Sequence, residues 1–547
     1  MSFHFSSKLI KRRGRSRLRR IMRGYRFLKK SQSLGRIAEV NRGLTIRPLD
    51  IKEKRFSKFL FGEGREHAEV VCRQYLLTRV AGLKMNRALL YALGKPGSPA
   101  VFYLPPEWRK IIQKQGFKVA SFRTTLLWEA FVGMILAYGV LKIAAIILSG
   151  IIAVLKQSTQ QLGRYVYFDS LAPGNLPQPC RDGRSHDIIT WYMQWAGRES
   201  DIDTLCHGVM GAEPRAVNGT PVIPVPDPIP PLTRIGSIAR FTLWSLRAIL
   251  IATWDFLRGR WWHALLLNQA ALAAQARMQN PERLAKDYLF HNAGWIYRPL
   301  WTYEAEKRGA RITFYFYSTN CEAFKRPEGY PPLSLGWQAM NWPQYLVWDE
   351  YQADFVRRAV GEHVKINIVG SIWFQAGIET LPEIPSKSIA VFDVTPARDY
   401  HYRLSAYSFN YYTPEMAVNF LRDIHNLLSI RNLGFVWKQK RNIGRAAHPM
   451  YRRFIETYKN EHNFIAIDPD TSASPLIAAC TAVISMPFTS TALIAKEMGK
   501  PSIYYDPSEQ IKKDDRAAHG IEIICGPDEL SDWISSVFKT AVNKNTL

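Results

Sequence analysis

The sequence predicts an α/β protein made of two Rossmann-like domains facing a cleft, the first carrying membrane-associating helical insertions. Three observations predict it. Short apolar runs rich in Val, Ile, Tyr and Phe alternate with longer amphipathic stretches, the pattern of buried parallel strands joined by helices. The alternation halts at the short polar, proline-containing stretch 380–388 and begins again beyond it. Two long apolar segments interrupt the first run.

In order along the first run, residues 100–104 read as a strand, 106–115 as a helix opened by Pro106, and 117–122 as the next strand. Residues 131–155 carry one charge, Lys142, and are long enough to cross a bilayer as a helix. Strands are expected at 165–168 and 288–290, a helix at 299–308, strands at 311–317 and 345–348, a helix at 350–360 and a strand at 364–369. The proline-rich stretch 218–231 reads as an extended connector. The second apolar segment, 238–257, contains Arg240, Arg247 and Asp255 and runs into Arg258, Arg260, Trp261 and Trp262. Such flanks suit a helix lying in a membrane interface. A buried core helix is the alternative for either segment, and for the first, in-plane insertion stands beside a full crossing.

Beyond the boundary the expected elements are a strand at 389–392, a helix at 414–429, a strand at 434–438, a helix at 449–459 and a strand at 464–467. They continue with a short helix at 476–479, a strand at 482–485, a helix at 490–498, a strand at 502–505 and a closing helix at 529–541. The chain thus divides into a basic amphipathic segment, 1–60, a first Rossmann-like domain, 61–385, and a second, 386–547. The apolar insertions of the first domain lie at about 125–157 and 236–275.

The formal net charge is +27, and the first thirty residues hold a dozen Lys and Arg with no Asp or Glu. Such a block attracts polyanions. Interleaved Leu18, Ile21, Met22, Tyr25, Phe27 and Leu28 favour an amphipathic helix on an anionic membrane surface. A solvated tail and a mitochondrial-type presequence share this look. No helix-turn-helix, RRM or zinc-finger spacing accompanies the charge, so no nucleic-acid partner is expected. Cys72, Cys180, Cys206, Cys321, Cys480 and Cys525 are far apart and form no CxxC pair, which fits a reducing compartment and no zinc site. No secretory signal pattern is expected at the start of the chain.

Ligands in open parallel sheets bind at the carboxyl ends of strands, so strand ends supply the candidates. A strand ends at Ser485 and a helix starts after Thr489 or Ser490, aiming the first-turn N–H groups and the hydroxyls of Thr489, Ser490 and Thr491 at one place. Plain helix capping is the alternative. Lys438, Lys440 and Arg441 follow a second strand end, where they would neutralise phosphate charge. Asp393 ends a third strand and either fixes a loop or contacts sugar. In the first half Asp169 and His291 follow strands and are the acid–base candidates, while Asp187 reads as a helix cap. Metal-ligand spacing is absent, so no metal is expected.

The stretch Met486-Pro487-Phe488-Thr489-Ser490, together with Lys438-Gln439-Lys440-Arg441, resembles the "PFTS motif" polysaccharide-biosynthesis proteins of bacteria. More remotely it is similar to GT-B sialyltransferases and Kdo transferases, over about 150 residues. The resemblance implies the GT-B fold and a glycosyltransferase whose CMP-sugar donor rests its single phosphate on Thr489, Ser490 and Thr491. It implies a donor domain at 386–547 and an acceptor domain at 61–385. The implied acceptor is a lipid-linked glycan at the cytoplasmic face of the bacterial inner membrane. The sequence has Lys-Gln-Lys-Arg where sialyltransferases show Lys-x-His-Pro, and it lacks their acidic-acidic-Gly motif, so the base is not assigned by resemblance. A UDP- or GDP-sugar donor, a nucleic-acid-binding protein and a non-catalytic membrane scaffold are the other readings.

Overall fold

A computed structural model of the protein describes residues 2–31, 33, 35–46, 56–156, 162–177, 187–196, 202–292, 297–319, 321–333, 335–372, 381–397, 411–440, 443–469 and 471–544. The chain begins with a helical body. Its helices Ser2–Lys30, Gly35–Ile46, Ala68–Arg79, Leu83–Leu93, Pro106–Lys114 and Ser121–Leu155 share one core with the later helices Ile235–Leu257 and Leu267–Met278. Leu60, Phe61, Trp128, Trp262 and Leu267 are all buried in that core. The strands expected at 100–104 and 117–122 do not form. Ala100 and Val119 make one isolated parallel bridge, and Ser121 already opens the long helix. Tyr103 stacks on Phe131 at 4.7 Å, so this apolar run buries itself against helices instead of entering a sheet.

The first sheet contains β1 (Tyr165–Phe168), β2 (Thr204–His207), β3 (Arg215–Val217), β4 (Thr220–Pro224), β5 (Asp287–His291), β6 (Arg311–Tyr315), β7 (Gln344–Val347) and β8 (Lys365–Ile368). Their order is β3-β4-β2-β1-β5-β6-β7-β8, parallel except for the β3–β4 hairpin. Part of the expected proline-rich connector is therefore a strand, because Val222 can pair with Leu205 of β2 and bury there. Every residue of β1 and β5 is buried, as both faces of the sheet are covered.

The second sheet contains β9 (Ser388–Phe392), β10 (Gly434–Lys438), β11 (Phe464–Ile467), β12 (Ala482–Ser485), β13 (Ser502–Asp506) and β14 (Glu522–Cys525), in the order β11-β10-β9-β12-β13-β14. All its pairings are parallel. This is the Rossmann strand order 3-2-1-4-5-6, whose reversal lies between β9 and β12. The corresponding reversal in the first sheet lies between β1 and β5.

The halves meet through the segment that follows β6 and the loop that follows β13. Lys325 N and Tyr330 OH both donate to Asp515, at 2.8 and 3.0 Å. Arg516 reaches Glu322 at 3.1 Å and stacks over the Tyr330 ring. Phe324 packs on Phe488 with 4.9 Å between ring centres.

Candidate active site

In the first sheet the reversal point holds Asp169, just past β1, and His291, the last residue of β5. Asp169 N donates to Leu289 O of β5 at 2.9 Å, and Ser170 Oγ donates to Asp169 Oδ2 at 2.6 Å. Ser170 takes a left-handed backbone, φ 56°, and turns its carbonyl toward His291 Nε2 at 3.3 Å. The structure thus brings Asp169 and His291 together around Ser170. Burial depresses the imidazole pKa below its ordinary value, which keeps His291 neutral near pH 7 and able to accept a proton. Asp187 caps the helix Ile188–Ala196, accepting from Ile189 N and Thr190 N at 3.0 and 2.9 Å.

In the second sheet the reversal point is bordered by Asp393 after β9 and by the turn 486–489 after β12. Phe488 has φ 62°, a conformation that costs a bulky side chain about 1–2 kcal/mol. It is held there by contacts on all sides: Tyr412 OH donates to Pro487 O at 2.8 Å, Tyr504 OH donates to Thr489 O at 2.9 Å, and the Phe488 ring packs against Phe324 and Tyr504. The helix Ser490–Glu497 starts immediately after, with Thr489 at its N-cap. The Thr489 hydroxyl donates to Met486 O at 2.9 Å and so does not cap the helix. Thr491 Oγ1 lies 2.8 Å from Ser485 Oγ. Ser490 Oγ looks across the cleft to Thr319 Oγ1 at 3.5 Å. Of the three hydroxyls, that of Ser490 is therefore the one turned toward the other half.

Asp393 is fully enclosed. Trp437 Nε1 donates to it at 3.1 Å, Lys440 N at 3.4 Å, and Tyr451 OH also donates. Burial pushes its carboxyl pKa up to about 6. The structure gives Asp393 a loop-fixing place beneath Lys440. Lys438 Nζ donates to Pro469 O at 3.0 Å, on the β11 side, away from the reversal point. Lys440 is exposed at the cleft, and Arg441 lies outside the described residues. His448 caps the helix Pro449–Tyr458, its Nδ1 accepting from Met450 N at 3.3 Å.

Between the halves lies a cavity of about 1010 Å³, bounded by Thr319, Phe324, Lys325 and Arg326 from the first half and by Tyr411, Tyr412, Lys440, Phe488 and Lys512 from the second. The size suits a small ligand with several polar contacts. Among these, the sequence pointed to Lys440 and, within the Met486–Ser490 stretch, to Phe488. Lys325-Arg326 beside a proline and the Tyr411-Tyr412 pair before Pro414 were the available signals, but their meeting is a property of the assembled cleft. Among the described residues no three His, Cys, Asp or Glu stand together as a metal site.

Two Rossmann-like halves, each with its reversal point occupied by polar strand-end residues and a cavity between them, define a protein of GT-B architecture. The match to known families is specific. Residues 244–534, more than half of the chain, match the model of the polysaccharide biosynthesis PFTS motif protein family, and the chain belongs to that family. No curated protein matches the sequence. Among solved structures, the wall teichoic acid polymerase TagF is similar at 12% identity and a TM-score of 0.38, over 77% of this chain and 90% of that one. The UDP-GlcNAc 2-epimerase of Methanocaldococcus jannaschii is similar at 9% identity and a TM-score of 0.35, over 69% of this chain and 92% of that one. Medicago truncatula UGT71G1, complexed with UDP-glucose, is similar at 10% and 0.32, over 64% and 81%. Likenesses this distant say nothing of what this chain binds or makes.

Proposed function

We propose that the protein is a membrane-associated glycosyltransferase of the bacterial cytoplasmic face. It moves a 3-deoxy-ulosonic acid, such as a nonulosonic acid or Kdo, from a CMP-activated donor to a lipid-linked surface polysaccharide. The observation that carries the transferase reading is the placement of the candidates. Asp169 and His291 occupy the reversal point of one sheet, and the turn 486–489 with the Ser490–Glu497 helix occupies that of the other. Ligands of open parallel sheets bind at such points.

In this reading the phosphate rests on the first-turn amides of the Ser490–Glu497 helix and on the Ser490 hydroxyl, with Lys440 and Arg441 supplying positive charge and no resident metal. Lys438 and Asp393 shape the strand end and the loop. His291 or Asp169 accepts the acceptor's hydroxyl proton, the acceptor oxygen forms the new bond to the anomeric carbon, and the sugar–phosphate C–O bond breaks with its electron pair leaving on CMP. The donor's CMP identity rests on the resemblance of Met486–Ser490 to CMP-sugar enzymes. A UDP- or GDP-sugar is the second reading; Arg326, Lys440 and Lys512 line the cavity and could meet a diphosphate, although Glu322, Glu328 and Glu509 line it too and Lys325 is paired with Asp514.

Isothermal titration with CMP, UDP and GDP separates the two. Micromolar CMP binding that is lost in Ser490→Ala supports the first, and UDP binding without CMP binding replaces it with the second. Binding of none of the three overturns the transferase reading.

A further inference from the structure

The helices Ser121–Leu155 and Ile235–Leu257 are both long and apolar enough to cross a membrane. We infer that neither crosses: both lie flat in one leaflet of an anionic bilayer, as a monotopic patch. The inference rests on the membrane association proposed above and settles its geometry from chain topology.

The first reason is where the ends of the long helix must be. Residues before it are fastened to residues far after it: Ser57 N donates to His263 Nε2 at 3.2 Å, Trp244 Nε1 to Phe59 O at 3.1 Å, and Glu63 N to Glu304 Oε1 at 3.1 Å. Residues immediately after it form β1, which pairs with β5 through Val166–Asp287, Tyr167–Tyr288 and Phe168–Leu289. The two ends of one helix therefore belong to one folded body on one side of any membrane. The helix has no proline to reverse it, and at 35 residues it is about 52 Å long. A straight helix with both ends on one side of a hydrocarbon layer about 30 Å thick lies along that layer.

The second reason is the stripe by which it is attached. Thr124, Trp128, Val132, Gly139, Ile143, Ile146 and Gly150 are buried at helical spacing along almost its whole length. The helix Ile235–Leu257 runs antiparallel to it, as an added Cβ at Gly133 would meet Phe256 and one at Gly150 would meet Ile238. A crossing helix would leave the body within a turn or two. This one is seated on it from Thr124 to Gly150.

Among the described residues the opposite face is unpartnered and apolar: Leu126, Met134, Leu141 and Leu148 on one helix, Leu243 and Leu250 on the other, all strongly exposed. An exposed patch of this kind marks an interaction surface. Cations frame it, with Arg123 and Lys156 at the ends of the long helix and Arg240, Arg247 and Arg258 along the second. Arg258 stacks on exposed Trp254 at 4.2 Å, an aromatic-cation pair of the kind found at headgroup level. Glu129 is the one acid in the long helix, and Lys142 is neutralised by Asp227 at 2.8 Å. Apolar centre, cationic rim and in-plane length together fit an anionic leaflet.

The test uses the full chain in bacterial membranes. Phe122→Cys and Leu155→Cys are probed with a membrane-impermeant maleimide in intact spheroplasts and in inverted vesicles, and read peptide by peptide by mass spectrometry. Both ends should label only in inverted vesicles; labelling of the two from opposite sides overturns the inference. In parallel, Leu141→Asp with Leu250→Asp, on surfaces 68% and 70% exposed, should move the folded protein from the pelleted vesicles to the supernatant. Retention in the pellet, or a wild-type protein that ignores anionic vesicles and self-associates instead, also overturns it. Nucleotide titration of the released variant reads the transferase proposal separately, so failure of one is distinguishable from failure of the other.

Discussion

His519 Nδ1 lies 2.7 Å from Asp349 Oδ2 and joins the second half of the molecule to the first. The histidine is almost wholly buried, in a left-handed conformation, φ 52°. Asp349 also caps the helix Glu350–Val360, accepting from Gln352 N at 2.9 Å. Asp349→Asn keeps the cap and loses the charge across the cleft, whereas Asp349→Ala loses both. The expected cost is about 1 kcal/mol for Asn and about 2 kcal/mol for Ala. In a His519→Ala background the Asn substitution should cost almost nothing. Urea denaturation of the double-mutant cycle checks this, and additive single effects would contradict the contact.

Stability should depend on pH through Asp393. Its folded-state pKa is raised to about 6, above the ordinary carboxylate value, so the native state holds the proton more tightly than the unfolded chain. The group's contribution is complete below about pH 4 and is lost as pH rises to about 6. Between those limits the stability difference between wild type and Asp393→Asn should shift by about 2–3 kcal/mol in favour of Asn at the higher pH. Chemical denaturation at pH 4.5 and 7 measures it; parallel profiles for the two proteins would refute the assignment.

Phe488 should respond to substitution in an unusual order. Alanine removes its packing on Phe324 and Tyr504 while keeping the strained backbone, at a cost of about 3 kcal/mol. Glycine loses the same packing and relieves φ 62°, so Phe488→Gly should be about 1 kcal/mol more stable than Phe488→Ala. Calorimetry of the pair decides, and the usual preference for alanine would show that the turn relaxes.

The helix Ser2–Lys30 is seated through two glycines. A Cβ at Gly24 would stand 1.9 Å from Leu90 O, and one at Gly94 would stand 2.1 Å from Arg20 O. Both obstacles are backbone and cannot swing aside. Gly24→Ala should cost about 1–3 kcal/mol and loosen this helix selectively. Limited proteolysis with mass spectrometry should show early cuts before residue 31, with the two sheets still protected.

If His291 takes the acceptor proton, His291→Gln should lower kcat by at least about a hundredfold with little change in donor affinity. Because burial holds its pKa below the usual value, the wild-type rate should rise with pH and reach its plateau at lower pH than an ordinary imidazole base would give. The variant should lose that rise. A variant keeping the same profile would move the role to Asp169.

Much of the second sheet was legible because parallel strands covered on both faces leave continuous apolar runs: Phe435-Val436-Trp437 and Ala482-Val483-Ile484 could be little else. β14 was missed, since its two isoleucines lie between an exposed glutamate and a cysteine at the sheet edge. Residues 100–104 misled for the converse reason, as an apolar run does not say whether a strand or a helix will cover it. The sequence put Asp169, His291 and the turn before Ser490 at strand ends, and the structure has them there, beside the two reversal points. Local chemistry did not show where long or buried side chains would point. Lys438 turns to Pro469, and Asp393 is taken up by Trp437 and Tyr451, contacts set by chain distant in sequence. Thr319, Lys325 and Lys512 meet only when the halves close on each other.

The pairing of β1 with β5 has a consequence for synthesis. β5 leaves the ribosome more than a hundred residues after β1, and the second apolar helix emerges in between, after the first. The central strands of the first sheet cannot close until both greasy helices have been exposed for some time, and sheets closed by such distant contacts form slowly. A bilayer present during translation would shelter those helices while β1 waits for its partner. Membranes added only afterwards would arrive too late, so yield of native protein in a cell-free system should depend on when vesicles are supplied.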